Sequence, residues 1–246
     1  MKLVRPFHPF RIATLAAAAA LLVLASTASA QEKRSPQVGF SAGSLSSYLN
    51  SQNQTIDVAT DQVDAQVWTS NLTGHAVFTL KVELAGNAAQ NTMGIYNTDD
   101  SNPTLYQVFP GSASAGWYAN VDFGEYGALT VKLYDKDNHF QGHTTYAGVN
   151  RYSFGFYLTG PNQIGTFYSQ DSRNGGNAQI LTYKGTGRKE GGWWQCFEDL
   201  AYVSPGQPNS GLTDFEDAVM FVKAVDPLPV PASGTTWGAL KALYGR

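Results

Sequence analysis

The sequence is poor in cysteine and in charge, and both shortages limit what the protein can be. Its one cysteine, Cys196, excludes a disulfide within the chain, and its WWQCFEDL context predicts a buried apolar side chain rather than a reactive thiol. Charged residues make up 14% of the chain and aromatic residues 13%, a balance that disfavours disorder. After residue 30, no apolar run reaches the ~20 residues of a membrane-spanning helix, so we expect no transmembrane segment there.

The first 30 residues have the parts of a secretory signal peptide. A basic region precedes an apolar run at 12–25, and the sequence ASA at 28–30 fits the small-residue rule for cleavage. The apolar run is shorter than a spanning helix, which disfavours a membrane anchor. We therefore expect export, cleavage near Ala30, and a secreted or cell-surface location.

Loss of this signal peptide makes the chain more acidic. The segment holds three basic residues, Lys2, Arg5 and Arg11, and no acidic one, so its removal changes the net charge from −3 to −6. An acidic domain lacks the basic patch that nucleic acids or anionic membranes require, and we expect neither as a partner. It suits the binding of cations.

Residues 56–225 have the pattern of one β-rich domain. Alternation is clearest at 75–84, where Phe78, Leu80, Val82 and Leu84 fall on one face. Further strands are predicted at 92–96, 105–109, 128–134, 152–158 and 179–183. Because turn residues and no helical segments separate them, the pattern predicts an all-β fold, an antiparallel β-sandwich or jelly roll.

The flanking segments are predicted to lie outside this domain. Residues 31–55 form an N-terminal lead whose polar start, 31–37, we expect to be mobile. Within the lead, GFSAG at 39–43 matches a hydrolase nucleophile motif, but neither a buried strand before it nor a helix after it is predicted. Residues 226–234 are predicted to be a proline-rich linker, and 235–246 a short docking helix or a frayed terminus.

Two acidic clusters are the strongest candidates for a functional site. Glu198-Asp199 follows one apolar run and Asp214-Phe215-Glu216-Asp217 precedes another, so strand ends would bring their carboxylates together. Calcium takes 6–8 oxygen ligands of this kind. The predicted ligands are Glu198, Asp199, Asp214, Glu216 and Asp217, with Asn174 as a neutral oxygen donor. The alternative is a solvated acidic loop whose side chains cap turns.

A second acidic segment, Asp135-Lys136-Asp137-Asn138, begins like a calcium loop. It lacks the glycine and the terminal glutamate at the required offsets, so a hairpin turn is the favoured interpretation. His139 and His143 have the spacing of helical zinc ligands but lie in a β connection, which disfavours zinc.

The sequence also offers residues for two other functions. Trp117, Trp193 or Trp194, if exposed, would form the aromatic platform of a carbohydrate-binding module. A glycoside hydrolase would use two carboxylates, such as Glu198 and Asp217, across a cleft. Five acids within twenty residues suit cation binding better than an acid and a base held at different pKa values, so we expect no enzyme.

Seven short motifs follow one another in the chain. They are GIYN at 94–97, VF at 108–109, GFYL at 155–158, YSQDSRNGG at 168–176, LTY at 181–183, FEDL at 197–200 and TDFEDAVMFV at 213–222. In this order they resemble the domain of unknown function 4114 family of bacterial secreted, surface and adhesin-like proteins. The similarity covers residues 56–225, and the closing TDFEDAVMFV is its most specific part.

This resemblance implies an extracellular β-sandwich that binds calcium through the closing acidic motif. Asp214 and Asp217 stand at its aspartate positions, and Glu198-Asp199 at its Glu-Asp pair. The sequence departs from the pattern at Leu212, where another Asp is usual, and at Glu216, where Asn is usual. The prediction is a calcium-stabilised, non-enzymatic binding or structural domain at the cell surface or in the extracellular matrix, with a surface component or glycan as partner.

Overall fold

The computed structural model describes residues 33–40, 43–70, 74–83, 88–160, 165–201 and 214–228. The predicted signal peptide at 1–30, the predicted helix at 235–246, Ser41 and Leu212 lie outside these residues. Within them, no helix is long and apolar enough to cross a membrane.

The described residues form one α-helix and thirteen strands. The elements are α1 Gly43–Ser51, β1 Trp68–Ser70, β2 His75–Glu83, β3 Thr92–Asn97, β4 Leu105–Phe109, β5 Tyr118–Phe123, β6 Leu129–Tyr134, β7 Phe140–Tyr146, β8 Phe154–Thr159, β9 Thr166–Tyr168, β10 Ile180–Lys184, β11 Gly192–Phe197, β12 Ala218–Lys223 and β13 Val225–Pro227.

These strands form two antiparallel sheets. The larger has the order β10-β11-β12-β2-β5-β6-β7, and the smaller has the order β13-β1-β8-β3-β4, with β9 also paired to β8. Aromatic rings join the sheets, since Phe78 of the larger lies 5.5 Å from Phe156 of the smaller, and Trp68 lies 5.8 Å from Trp193. The predicted all-β antiparallel sandwich is confirmed.

Alternation along β2 explains why one face of this strand packs against the smaller sheet. Ala76, Phe78 and Leu80 are fully buried between the sheets, whereas Val77 and Thr79 on the other face are partly exposed. A period of two is what a strand with one buried face requires. The strand predicted at 75–84 is therefore confirmed, and β4 has the predicted bounds, 105–109.

A second core covers the outer face of β10, β11 and β12. Successive residues of β11 point into different cores: Trp193 into the core between the sheets, Trp194 and Cys196 into the outer one. Leu45 and Leu49 of α1 complete the outer core. All six residues of β11 are buried because both faces of the strand are covered.

The N-terminal lead supplies this cover, so the expectation that it lies outside the domain is wrong for its described part. Arg34 is buried and forms an ion pair with Asp171 at 2.5 Å, and Lys33 bridges to Val63. Apolar residues of the lead, such as Leu45 and Leu49, pack against the outer face of the larger sheet and cover it. A helix follows GFSAG after all, but residues 34–40 before it are not a strand, so the hydrolase motif still lacks its context.

The first two residues of the predicted linker belong to a strand. Asp226 and Pro227 belong to β13, which pairs with β1 at the edge of the smaller sheet. Proline is tolerated at a sheet edge because it has no N–H to donate to a further strand. The domain therefore includes residues on both sides of the predicted 56–225.

Leu49→Ala tests whether the lead stabilises the domain. We expect the substitution to lower the free energy of unfolding by about 2–4 kcal/mol, because it opens a cavity at a fully buried position. Urea unfolding of the purified chain measures this. Asn50→Ala, one residue on and exposed, is the matched control and should change stability by less than about 0.5 kcal/mol. Equal effects of the two substitutions would contradict the assignment of a second core.

Candidate metal centre

The ends of β11 and β12 bring the two acidic clusters together. Phe197, the last residue of β11, pairs with Ala218, the first residue of β12. The residues just beyond this pair, Glu198 and Asp217, therefore leave the sheet side by side. The predicted convergence of two separate parts of the chain is confirmed.

Three carboxyl groups meet at this point. One oxygen from each of Glu198, Asp214 and Asp217 lies within 4.8 Å of the other two. Two oxygens bound to the same calcium ion are at most about 5 Å apart, because calcium–oxygen distances are about 2.3–2.6 Å. The spacing is therefore compatible with one shared cation.

Backbone N–H groups hold these carboxyls in place. Glu198 accepts hydrogen bonds from Leu200 N–H at 3.2 Å and from Asp214 N–H at 3.1 Å. Asp217 accepts one from Asp199 N–H at 2.8 Å. Each bond joins one acidic cluster to the other or to its own turn, so backbone contacts position the carboxyls.

The turn in the second cluster depends on Phe215. Its φ of 55° is in the left-handed region, which costs a non-glycine residue about 1–2 kcal/mol. Its side chain is fully buried in the outer core, 5.2 Å from the ring of Phe40, and burial of a phenylalanine contributes about 1.5–3 kcal/mol. Packing therefore offsets the strain, and the resulting turn directs Asp214 and Asp217 toward Glu198 instead of to opposite faces.

Burial without a basic partner changes the acidity of the site. Glu198 is 1% exposed, and among the described residues no Lys, Arg or His forms an ion pair with it, Asp214 or Asp217. Burial, reinforced by the neighbouring Asp217, raises the pKa of Glu198, and burial also raises the pKa of Asp217. Two ionised carboxylates ~4 Å apart repel by about 4 kcal/mol near a protein surface, so without a cation the pair keeps a proton.

The other predicted ligands are placed differently. Asp199 is buried beside the site, but its carboxylate accepts a hydrogen bond from the Asn91 amide at 3.1 Å. Glu216 lies in the turn, and within the described residues its Oε2 is buried without a hydrogen-bond partner. Asn174 is not part of the cluster: its amide oxygen accepts the Tyr168 N–H, and its amide nitrogen donates to the Tyr168 carbonyl.

Asn91 is a site residue that the sequence did not predict. It is 1% exposed, and no described donor reaches its amide oxygen, although its amide nitrogen contacts Asp199. A buried carbonyl oxygen without a partner costs free energy unless water or a cation satisfies it. Asn91 contacts the edge of the acidic site through Asp199. A lone asparagine before a strand carries no sequence signal that could have shown this.

A second group of possible ligands lies on the β6–β7 hairpin. Asp135, Asp137 and His139 have ligand atoms within 4.8 Å of one another, but Asp137 and His139 are exposed. Asp135 accepts the N–H groups of Asp137 and His139 at 2.9 Å each, which is what a capped reverse turn requires. The predicted hairpin turn is confirmed.

The tryptophans proposed as an exposed platform are not exposed. Trp193 is 7% and Trp194 0% exposed, because the two faces of β11 are covered by different cores. Trp117 is half-buried against the main core. The prediction of exposed Trp193 and Trp194 is therefore wrong, and these rings cannot stack on a ligand.

Comparisons with known proteins leave the family open. No protein-family model matches the chain, and no curated protein matches it either. A crystal structure of an alginate lyase from Pseudomonas aeruginosa aligns with 8% identity and a TM-score of 0.12, over 69% of this chain and 59% of that one. The chain thus spans less than two thirds of that protein, and so low a score carries no argument about fold or activity. The resemblance to the 4114 family remains a prediction.

The raised pKa values predict how stability depends on pH. Glu198 and Asp217 bind protons more tightly in the folded than in the unfolded state, so their contribution is complete below the ordinary carboxyl pKa of about 4 and declines as pH rises. In chelator, the free energy of unfolding should therefore fall between about pH 5 and pH 8, by about 1.4 kcal/mol for each unit of raised pKa.

Glu198→Gln isolates this contribution. The amide cannot ionise, so the variant should lose much of the pH dependence and gain stability relative to the native chain near pH 8. Urea unfolding at a series of pH values measures both. Asp226→Asn, an exposed acid on β13, should keep the native slope. If the native protein instead became more stable than Glu198→Gln as the pH rises, the predicted direction of the pH dependence would be wrong.

Proposed function

We propose that this protein is an exported, non-enzymatic binding or structural domain that a calcium ion stabilises. The observation that carries the proposal is the meeting of the buried Glu198 with the partly buried Asp214 and Asp217, without a described basic partner. A fold that holds three carboxyls together against their mutual repulsion gains stability when a cation joins them.

Calcium is favoured by the type of ligand. Every side-chain ligand atom of the cluster is an oxygen, one from each of Glu198, Asp214 and Asp217. Hard oxygen ligands of mixed charge suit calcium, which also accepts backbone carbonyls and water to reach 6–8 ligands. Zinc and copper prefer the imidazole and thiolate ligands that this cluster lacks among its described residues.

A role without catalysis is favoured by burial. A glycoside hydrolase needs its two carboxyls on opposite sides of an open cleft, with a sugar bond between them. Glu198 is almost completely buried, and Trp193 and Trp194, the rings that would hold a sugar, are core residues. The site is therefore better suited to hold strand ends together than to admit a substrate.

An extracellular location is proposed from the sequence and is consistent with the ion. The signal-peptide pattern at 1–30 predicts export. Outside the cell, calcium is abundant enough for sites with dissociation constants of about 10⁻⁴–10⁻³ M to fill. A calcium ion bound outside the cell would therefore cross-link strand ends in a domain that has no disulfide.

A thermal and urea unfolding series with calcium, magnesium or chelator tests the proposal. Calcium at a hundredfold excess over its dissociation constant should raise the free energy of unfolding by ~2.7 kcal/mol. Asp217→Asn should remove most of this gain, because the amide cannot supply the charge. Calcium should stabilise more near pH 8 than near pH 5, since protons compete for the same carboxyls.

Two controls locate the ion. Asp226→Asn should keep the full calcium effect, and so should Asp137→Asn in the hairpin cluster. If stabilisation by calcium is lost only in Asp137→Asn, the ion binds at the β6–β7 turn instead. If the native protein shows no calcium effect at about millimolar concentration, the proposal of an extracellular calcium site is wrong.

A further inference from the structure

A surface groove that lies away from the acidic cluster is lined by two exposed tyrosines. It has a volume of about 640 Å³ and is formed by the β5–β6 loop, residues 124–127, and the β7–β8 loop, residues 149–152. This volume is within the range of about 300–1,000 Å³ that is usual for sites of small ligands. Tyr126 is 99% and Tyr152 63% exposed, whereas other tyrosines, such as Tyr96 and Tyr157, are buried.

Tyr126 combines a strained backbone with a side chain that does not pack against the fold. Its φ of 54° and ψ of 29° place it in the left-handed region, where glycine or asparagine costs less. Its ring is almost completely exposed, so packing does not offset this cost, unlike at Phe215. A strained backbone with an unpacked aromatic side chain at the mouth of a groove makes Tyr126 a candidate ligand contact.

The walls of the groove are already fixed. Val149 N–H donates to the Gly127 carbonyl at 2.9 Å, which joins the two loops, and Asn150 N–H donates to the Asn97 side chain at 2.7 Å. The Arg151 guanidinium lies 4.7 Å from the centre of the Tyr152 ring and orients it. A ligand would therefore bind without the cost of ordering these loops.

We propose that this groove binds a saccharide chain, with Tyr126 and Tyr152 as its stacking rings. The C–H face of a pyranose ring is apolar and suits an exposed phenol ring, whereas its hydroxyls need both donors and acceptors. Arg151 offers donors and Glu125 offers an acceptor on the same groove. A nucleic acid base would also stack, but its phosphates need a basic surface, and here the one arginine faces one glutamate in an acidic chain.

The groove and the acidic cluster lie at opposite ends of the sandwich. β12 begins at the cluster, β2 runs antiparallel to β12, and β5 runs antiparallel to β2. β5 therefore starts at the cluster end and reaches the groove after six residues, about 20 Å. Saccharide binding consequently does not depend on a calcium ligand, and the two proposals can fail separately.

Affinity electrophoresis of the full chain in gels with soluble polysaccharides tests the proposal. The probes are a neutral β-glucan, xylan, mannan and an acidic polyuronate, with and without calcium. At least one should retard the native protein, and Tyr126→Gly and Tyr152→Ala should each weaken that binding on the order of tenfold. Tyr126→Gly should not lower the melting midpoint, because glycine relieves the backbone strain. Binding should persist in chelator below the melting temperature.

Phe140→Ala is the matched control, since it removes another exposed aromatic ring, on β7 at the opposite end from the groove. It should leave retardation unchanged. Native protein that no probe retards would overturn the proposal. Retardation that survives in both tyrosine variants, or that Phe140→Ala abolishes instead, would overturn the assignment to this groove.

Discussion

The contact between the carboxyl groups of Glu198 and Asp217 constrains this molecule more than any other. The pairing of Phe197 with Ala218 fixes their distance, because both acids directly continue paired strands of the larger sheet. The fold cannot separate them without shortening that sheet. Burial raises the pKa of both carboxyls, and a cation bound as proposed above would compete with protons for the same oxygens.

The two cores explain why these strands can carry such a site. β11 and β12 are buried on both faces, by the opposite sheet and by α1 with the N-terminal segment. Both strands are therefore held by packing on each side, and Phe215 extends the outer core into the acidic turn. Charge repulsion at the strand ends thus acts against two packed layers, which hold the carboxyls in position.

Much of this architecture could be predicted from the sequence, and the exceptions have physical causes. Strict alternation predicted β2, a short apolar run predicted β4, and apolar runs next to acids predicted the convergence of Glu198 and Asp217. Helix α1 was missed because its serine-rich sequence has low helical propensity and is stabilised by tertiary packing of Leu45 and Leu49. The exposure of Trp193 was misjudged because periodicity shows one buried face but cannot show that both are covered.

The buried cysteine couples unfolding of the domain to a chemical change, the formation of a disulfide between chains. Burial raises the pKa of the Cys196 thiol and shields it, and the thiolate is the form that exchanges with disulfides, so folding disfavours exchange at this residue. Unfolding exposes a thiol that has no partner within its own chain. In an oxidising compartment, covalent dimers would therefore accumulate only from molecules that had once lost their fold.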